Sequence, residues 1–520
     1  MKQYLRLCIF FTLACFAAIR PANAAETQRK VAKAKQPACD TNISAEKISV
    51  TQHKLKVSGR TIKYTATAGC LQIKDEADKP RASIFYSAYE KKARDDTSGR
   101  PVTFVFNGGP GASSVFLHLG ALGPKRVLLS EEGTALPAAA KLVANDYTWL
   151  DFTDLVFIDP IGTGYSRTAP GVDAKQFYSV EEDAKLAGEF IRLYITRQGR
   201  WLSPKFIAGE SYGATRAAAL SGYLQNTVNM NVSGLVLISP ALNFQTFRFN
   251  PGNDLPAILY LPSYTAAAWY HKKLAPALQE SLKKSLKEAE AWALNEYALA
   301  LEKGSELSSG EQYKIDAKLA SYTGLTSKYI KSSNMRISPL RFAKELLRDE
   351  HRTTGILDSR VKGIDSDAAG EHAEFDPALF MTIGPYASAM NDYVSKELKY
   401  ETDITYEVLS LKVNREWNWG SAVQGYVNVS DTLREAMSRN RHLKVFIACG
   451  YYDLATPYYA TEYTINHLGL ETGRRHNIVL EHYESGHQLY THLPSLKKMT
   501  EDVADFFIQY KTYLLTAEPR

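Results

Sequence analysis

The stretch that most limits how this chain can fold is Gly209-Glu210-Ser211-Tyr212-Gly213. It follows the strand-like run Lys205-Phe206-Ile207-Ala208 and precedes the small-residue run Ala214-Thr215-Arg216-Ala217-Ala218-Ala219-Leu220. Gly-x-Ser-x-Gly in that setting predicts a strand that reverses at once into a helix. Such a reversal crowds its own backbone, so small residues must flank it, and it holds the serine hydroxyl out in the open. Ser211 is therefore a candidate nucleophile.

The neighbouring pattern supplies the sheet that such a turn needs. Asp154-Leu155-Val156-Phe157-Ile158-Asp159 is continuous and apolar, like strands buried on both faces of a parallel sheet. Ser179-Val180-Glu181-Glu182 has the form of a capping box opening an amphipathic helix to about Thr196, and Gly234-Leu235-Val236-Leu237-Ile238 is a further strand. Strand and helix alternate as a mostly parallel, doubly wound α/β sheet demands. Upstream, Thr61–Ala68, Ala82–Tyr89 and Pro101–Phe106 read as short strands that lead antiparallel into a mixed sheet. From about 246 to 425 the alternation gives way to helical runs. Leu278, Leu282, Leu286, Ala289, Ala293, Tyr297 and Leu301 recur every three or four residues before a stop at Gly304. The expected organisation is a first core part over 46–245, a mainly helical insertion or cap over 246–425, and a second core part over 426–520.

The N-terminus has its own composition. Lys2 and Arg6 precede an apolar run from Leu7 to Ile19, and Ala22-Asn23-Ala24 offers a small-x-small cleavage site. Residues 1–24 thus read as a secretory signal peptide, with 25–45 a charged linker, and the protein is expected to be exported, periplasmic or secreted. Loss of Lys2, Arg6 and Arg20, with no acidic residue, takes the formal charge from +6 to +3. So small a charge argues against a nucleic-acid partner. No later run suits stable membrane insertion. Of the five cysteines, Cys39 and Cys70 are a plausible bridge in an exported chain, and Cys449 reads as a buried thiol. There is no CxxC pair and no HExxH, and His482, His487 and His492 are spaced by five, so no metal and no other cofactor is expected.

Two further segments carry chemistry. Asn107-Gly108-Gly109-Pro110-Gly111-Ala112-Ser113-Ser114 follows a strand, and its glycines let backbone N–H groups approach a ligand. Together with the N–H after the serine this predicts an oxyanion hole from Gly109 and Tyr212. Pro160-Ile161-Gly162-Thr163-Gly164 satisfies neither phosphate-loop pattern. Late in the chain, Asp453 follows the buried-type strand Leu443–Cys449, and His487 follows His476–Tyr483. The order Ser211, Asp453, His487 is that of the α/β-hydrolases.

From about residue 82 to 510 the chain resembles the serine carboxypeptidase family. The resemblance is carried by Asn107-Gly108-Gly109-Pro110-Gly111-Ala112-Ser113-Ser114, by Gly209-Glu210-Ser211-Tyr212-Gly213, by Asp453 and by Gly486-His487. It implies an α/β-hydrolase fold and release of the C-terminal residue of peptide substrates through an acyl-enzyme, with Ser211, Asp453 and His487 as the triad. It also implies that Asn107 and a protonated Glu210 bind the substrate's terminal carboxylate, since two carboxylates in contact do not both ionise cheaply. The chain departs from the family pattern at three places: Ala112 stands for Cys, Val105 for Trp, and Ala121 for a second Glu of the carboxylate-binding network. The last change keeps open an esterase or acyltransferase on the same scaffold. A binding protein on a catalytically dead scaffold is a third reading, against which the complete triad argues.

Overall fold

The computed structural model describes residues 46–57, 59–92, 99–131, 133, 140–420 and 425–517. The signal-peptide and linker readings, and Cys39 of the expected bridge, lie outside the described residues. Cys70 and Cys449 are both buried, and the Cys70 thiol lies 3.4 Å from the Tyr400 hydroxyl.

One large sheet organises the chain. Its strands are β1 (Ile48–Val57), β2 (Arg60–Lys74), β3 (Pro80–Lys91), β4 (Val102–Phe106), β5 (Asp154–Ile158), β6 (Lys205–Glu210), β7 (Gly234–Ile238), β8 (Lys444–Gly450) and β9 (Ile478–Tyr483). In space they run β1-β2-β3-β5-β4-β6-β7-β8-β9, with the two-residue strand Arg167–Thr168 beside β3. Pairings from β1 to β5 are antiparallel, and those from β5 through β9 are parallel.

The sequence pattern placed Pro101–Phe106 in the antiparallel lead-in; the structure corrects this. β4 lies inside the parallel half, between β5 and β6. All five of its residues are buried, as a strand covered on both faces must be. The sequence reading also missed β1, whose residues are mostly exposed or half-buried and so carry little hydrophobic signal.

Helices cover both faces. α1 (Val180–Arg197) begins at Ser179, whose hydroxyl accepts from the Glu182 N–H, and α2 (Tyr212–Asn226) starts directly at the turn after β6. Between β7 and β8 no strand joins the central sheet among the described residues; helices dominate, with one small hairpin, Arg352–Thr354 with Lys362–Ile364. Leu259, Leu286, Trp292 and Phe342 from this stretch share one hydrophobic cluster with Phe104, Ile207 and Leu237 of the sheet. The helix α3 (Pro377–Lys396) instead buries Tyr386, Ala389 and Tyr393 in the cluster on the other face, with Phe116 and Tyr490. The helical stretch is thus continuous with the core at both faces. Its position over the sheet is fixed by packing.

Candidate active site

The ends of the parallel strands bring the chemistry together. Asn107 follows β4, Ser211 follows β6, and Asp453 and His487 stand three and four residues past β8 and β9. These are the carboxyl ends of the strands, where open α/β sheets hold ligands.

The turn at Ser211 has the geometry its sequence predicts. Ser211 sits at φ 60°, ψ −124°, a conformation that L-residues rarely adopt. A Cβ on Gly209 would stand 2.1 Å from the Gly213 carbonyl oxygen, and one on Gly108 would stand 2.6 Å from the Tyr212 nitrogen. Glycine at 209 lets the turn fold tightly back on itself, and glycine at 108 lets the loop after β4 lie against the start of α2. Tyr212 is the first residue of its helix, so its N–H has no intrahelical acceptor. It and Gly109 both line the cavity that Ser211 faces.

Two networks fix this corner from behind. Arg216, one turn along α2, donates from Nε to Asp183 Oδ2 at 2.8 Å and from Nη1 to the Asn107 carbonyl at 2.9 Å. The Tyr212 hydroxyl donates to the same Asp183 oxygen at 3.3 Å. Burial pushes the Asp183 carboxyl up and the Arg216 guanidinium opposes it. The Ser114 N–H donates to Asp159 Oδ1 at 2.8 Å, which ties the glycine-rich loop to the end of β5.

Asp453 is fully buried and His487 nearly so. Asp453 Oδ1 accepts from the backbone N–H groups of Ala455 and Thr456 at 2.7 and 2.9 Å. Its Oδ2 lies 2.7 Å from His487 Nδ1 and accepts from the Thr456 hydroxyl, also at 2.7 Å. Burial works against charge on the imidazole, but the Asp453 carboxylate outweighs it and raises the His487 pKa. With Nδ1 committed to Asp453, Nε2 is the nitrogen left for proton transfer. The histidine's own backbone is held on both sides: its N–H donates to Leu357 O at 2.5 Å and its carbonyl accepts from the Ser239 hydroxyl at 2.7 Å. Ser211 Oγ makes no hydrogen bond within the protein among the described residues. It opens with His487 into one cavity of about 600 Å³.

Beside them stand Asn107 and Glu210. Asn107 Oδ1 accepts the Leu117 N–H at 2.9 Å, which turns its Nδ2 toward Glu210 Oε1, 3.0 Å away. Burial pushes the Glu210 carboxyl up to about 7, against the pull of His487. At neutral pH and below it is substantially protonated. The far wall of the cavity comes from the helical stretch and is largely apolar, with Phe244, Ile356, Phe375, Leu379 and Trp419. Of the departures from the family pattern, Ala112 lines the cavity, while Val105 and Ala121 are fully buried.

Residues 58–501 match the sequence model of the serine carboxypeptidase family. The chain belongs to that family. Among curated relatives, a serine carboxypeptidase-like protein of Arabidopsis thaliana is 28% identical over 234 residues, covering 43% of this chain and 42% of its own length. A second Arabidopsis family member is 31% identical over 170 residues, 30% of this chain and 33% of its own length. The pheromone-processing carboxypeptidase KEX1 of Cryptococcus gattii is 44% identical over 79 residues, 15% of this chain and 11% of its own length. This chain therefore spans less than half the length of the curated relatives it matches. A crystal structure of KEX1, a prohormone-processing carboxypeptidase from Saccharomyces cerevisiae, superposes with a TM-score of 0.54 at 16% identity, covering 85% of this chain and 91% of that one. At that identity the likeness is one of fold. With the mostly parallel central sheet, it gives this serine carboxypeptidase family member the α/β-hydrolase fold.

Sequence reasoning missed Thr456, Asp183, Arg216 and Tyr490. Thr456 alone had a local signal, an Asp with a Thr three residues on, the pattern of a side-chain-stabilised turn. The other three matter through partners distant in sequence.

Proposed function

We propose that this chain is a serine-type carboxypeptidase that releases the C-terminal residue of peptides through an acyl-enzyme. Ser211 Oγ attacks the scissile carbonyl carbon while its proton passes to His487 Nε2. Asp453 keeps the imidazole in the required tautomer and stabilises its charged form. The Gly109 and Tyr212 N–H groups hold the oxyanion. Collapse of the tetrahedral adduct breaks the C–N bond, and His487 returns the proton to the leaving amine. Water then attacks the ester by the same path, giving a new carboxylate and restoring Ser211.

The observation that carries the exopeptidase reading is the buried Glu210 carboxyl, which is paired with Asn107 at 3.0 Å, adjacent in sequence to Ser211, and favoured by burial in its neutral form. A protonated carboxyl and an amide N–H together donate to a carboxylate, and an internal peptide bond presents none. Mass spectrometry of a peptide library after digestion tests this. Ladders shortened one residue at a time from the C-terminus are expected; internal fragments would refute it.

A second reading, an esterase or acyltransferase, is favoured by Ala121 and by the apolar far wall. Rates on a blocked dipeptide and on an acyl ester of the same residue separate the two. The leader read in residues 1–24 supports export as part of the same proposal.

A further inference from the structure

On the side of Ser211 away from Glu210, the cavity wall is aromatic and ends in a charge. Tyr212, next to the candidate nucleophile in sequence, meets Trp419 edge-on at 5.9 Å between ring centroids, and Trp419 lies 5.0 Å from Phe244. The Arg248 guanidinium stands over both of the latter rings, 5.7 Å from Trp419 and 6.0 Å from Phe244. It lines the same cavity as Ser211. The chain that carries it is fixed locally. The Phe244 N–H donates to the Val427 carbonyl at 2.8 Å, the short helical turn Phe244–Phe247 follows, and the Arg248 carbonyl accepts from the Asn250 N–H at 3.0 Å and from Asn253 Nδ2 at 2.7 Å. The Asn107–Glu210 pair lies toward the opposite face of the sheet. Asn107 is held by Leu117, which belongs to the hydrophobic cluster on that face, whereas Phe244 and Trp419 pack against the cluster on the other. A peptide whose terminal carboxylate meets Glu210 therefore runs past Ser211 toward Trp419 and Arg248.

We propose that Arg248 is a specificity-determining residue that selects substrates with an acidic side chain, Glu or Asp, immediately before the residue released. This rests on the reading of the site as that of a carboxypeptidase. A guanidinium stays charged at any pH at which the protein works, and its planar set of N–H donors can meet a carboxylate at two points. Aromatic faces hold the cation in place without neutralising it. The largely apolar wall keeps the local dielectric low, which strengthens the attraction for an opposite charge. The same aromatic surface packs the methylene stem of a glutamate. Besides Glu210, the carboxylate that lines the cavity among the described residues is Asp376, and its oxygens are already spent. Oδ1 accepts from the Ala378 and Leu379 N–H groups at 2.8 and 3.4 Å, which caps α3, and Oδ2 accepts from those of Ile356 and Leu357 at 3.1 and 3.0 Å. Asp376 is thus a structural cap and gives no preference for a basic side chain. A substrate lysine at this position meets the charge of Arg248 and is repelled.

The test is kcat/KM of the full chain on two series, blocked dipeptides N-acyl-X-phenylalanine and N-acyl-X α-ethyl esters, with X as Glu, Gln, Leu or Lys. It is run at about pH 7, where a glutamate side chain is ionised. The esters carry the same residue on the acyl side and no terminal carboxylate. In the wild type, Glu should exceed its uncharged isostere Gln by about tenfold and Lys by about a hundredfold in both series. Arg248→Gln should bring Glu and Gln together, Arg248→Lys should keep part of the preference, and Arg248→Glu should invert the order so that Lys leads. Each ratio is taken within one protein, so a variant that folds less completely leaves it unmoved. Peptides cleaved without an acidic preference in the wild type, or with the same preference in Arg248→Gln and Arg248→Glu, overturn the assignment and leave the carboxypeptidase reading standing. An equal loss on all peptides with none on the esters makes Arg248 a ligand of the terminal carboxylate, which also overturns it. Esters that show the preference beside dipeptides that stay intact overturn the carboxypeptidase reading and leave Arg248 selecting an acidic acyl group. No turnover in either series overturns both.

Discussion

The two ends of the cavity are built on opposite principles. At the His487 end every polar atom of Asp453 is engaged: two backbone N–H groups, a threonine hydroxyl and the imidazole. At the Glu210 end one carboxyl oxygen is buried with no hydrogen bond among the described residues. A buried group without a partner costs about 1–3 kcal/mol, so such atoms persist where something else completes them. The saturated end has only to keep one geometry through a catalytic cycle. On the proposed function the unsaturated end meets a ligand with its own hydrogen-bonding groups, and the pH behaviour of substrate selection should reside there.

The strongest challenge to this contrast removes the proposed nucleophile. Ser211→Ala should lower kcat by about a million-fold on peptides and esters alike, the scale seen when serine-protease triads are broken, and should abolish labelling by a fluorophosphonate. Asp453→Asn should cost about 10⁴-fold on both substrate types, because an amide in that position stabilises the wrong tautomer. A loss confined to peptides in either variant would mean that this end also recognises the C-terminus.

Glu210→Gln sharpens the contrast from the other side. It should lower kcat/KM by about 10- to 100-fold for peptides with a free C-terminus and spare amidated peptides and simple esters. Equal losses on all three would remove Glu210 from carboxylate recognition. The pH profiles follow from the same two groups. His487 must be neutral to act as base, and its pKa is raised, so every substrate should lose rate on the acid side. Glu210 must be protonated to meet a carboxylate, so free-C-terminus peptides alone should lose rate as pH climbs through about 7. In Glu210→Gln that alkaline limb should vanish.

What the sequence disclosed and what it withheld divide along the same line. Ser211 was legible because its strained turn demands glycines on either side, and steric demands of that kind are written locally. The parallel strands were legible from unbroken apolar runs, whereas β1 was not, since an edge strand open to solvent needs no such run. β4 was misplaced because a short apolar strand reads the same whether its neighbours run with it or against it. The Arg216–Asp183 pair and the stacking of Tyr490 on Gly120 join residues that only the finished fold brings together. Nothing local in the sequence marks such pairings.

The smallest effect is the most exacting test of the saturated end. The Thr456 hydroxyl donates to Asp453 Oδ2 at 2.7 Å and also lies 3.1 Å from His487 Nδ1, so it shares the oxygen that holds the imidazole. Thr456→Val keeps the shape and removes only that hydroxyl. The two backbone N–H bonds to Oδ1 remain, so Asp453 should stay in place with one acceptor site less satisfied. The loss of a single neutral donor is worth about 1 kcal/mol, which corresponds to roughly a five-fold fall in kcat. Because Oδ2 is then less stabilised by other donors, it should attract the imidazolium proton more strongly. The acid limb should therefore shift upward by a fraction of a pH unit, equally for peptides and esters. A variant whose rate falls but whose acid limb stays fixed would assign Thr456 to the scaffold, and the saturated end would then owe its tuning to the Asp453 backbone contacts alone.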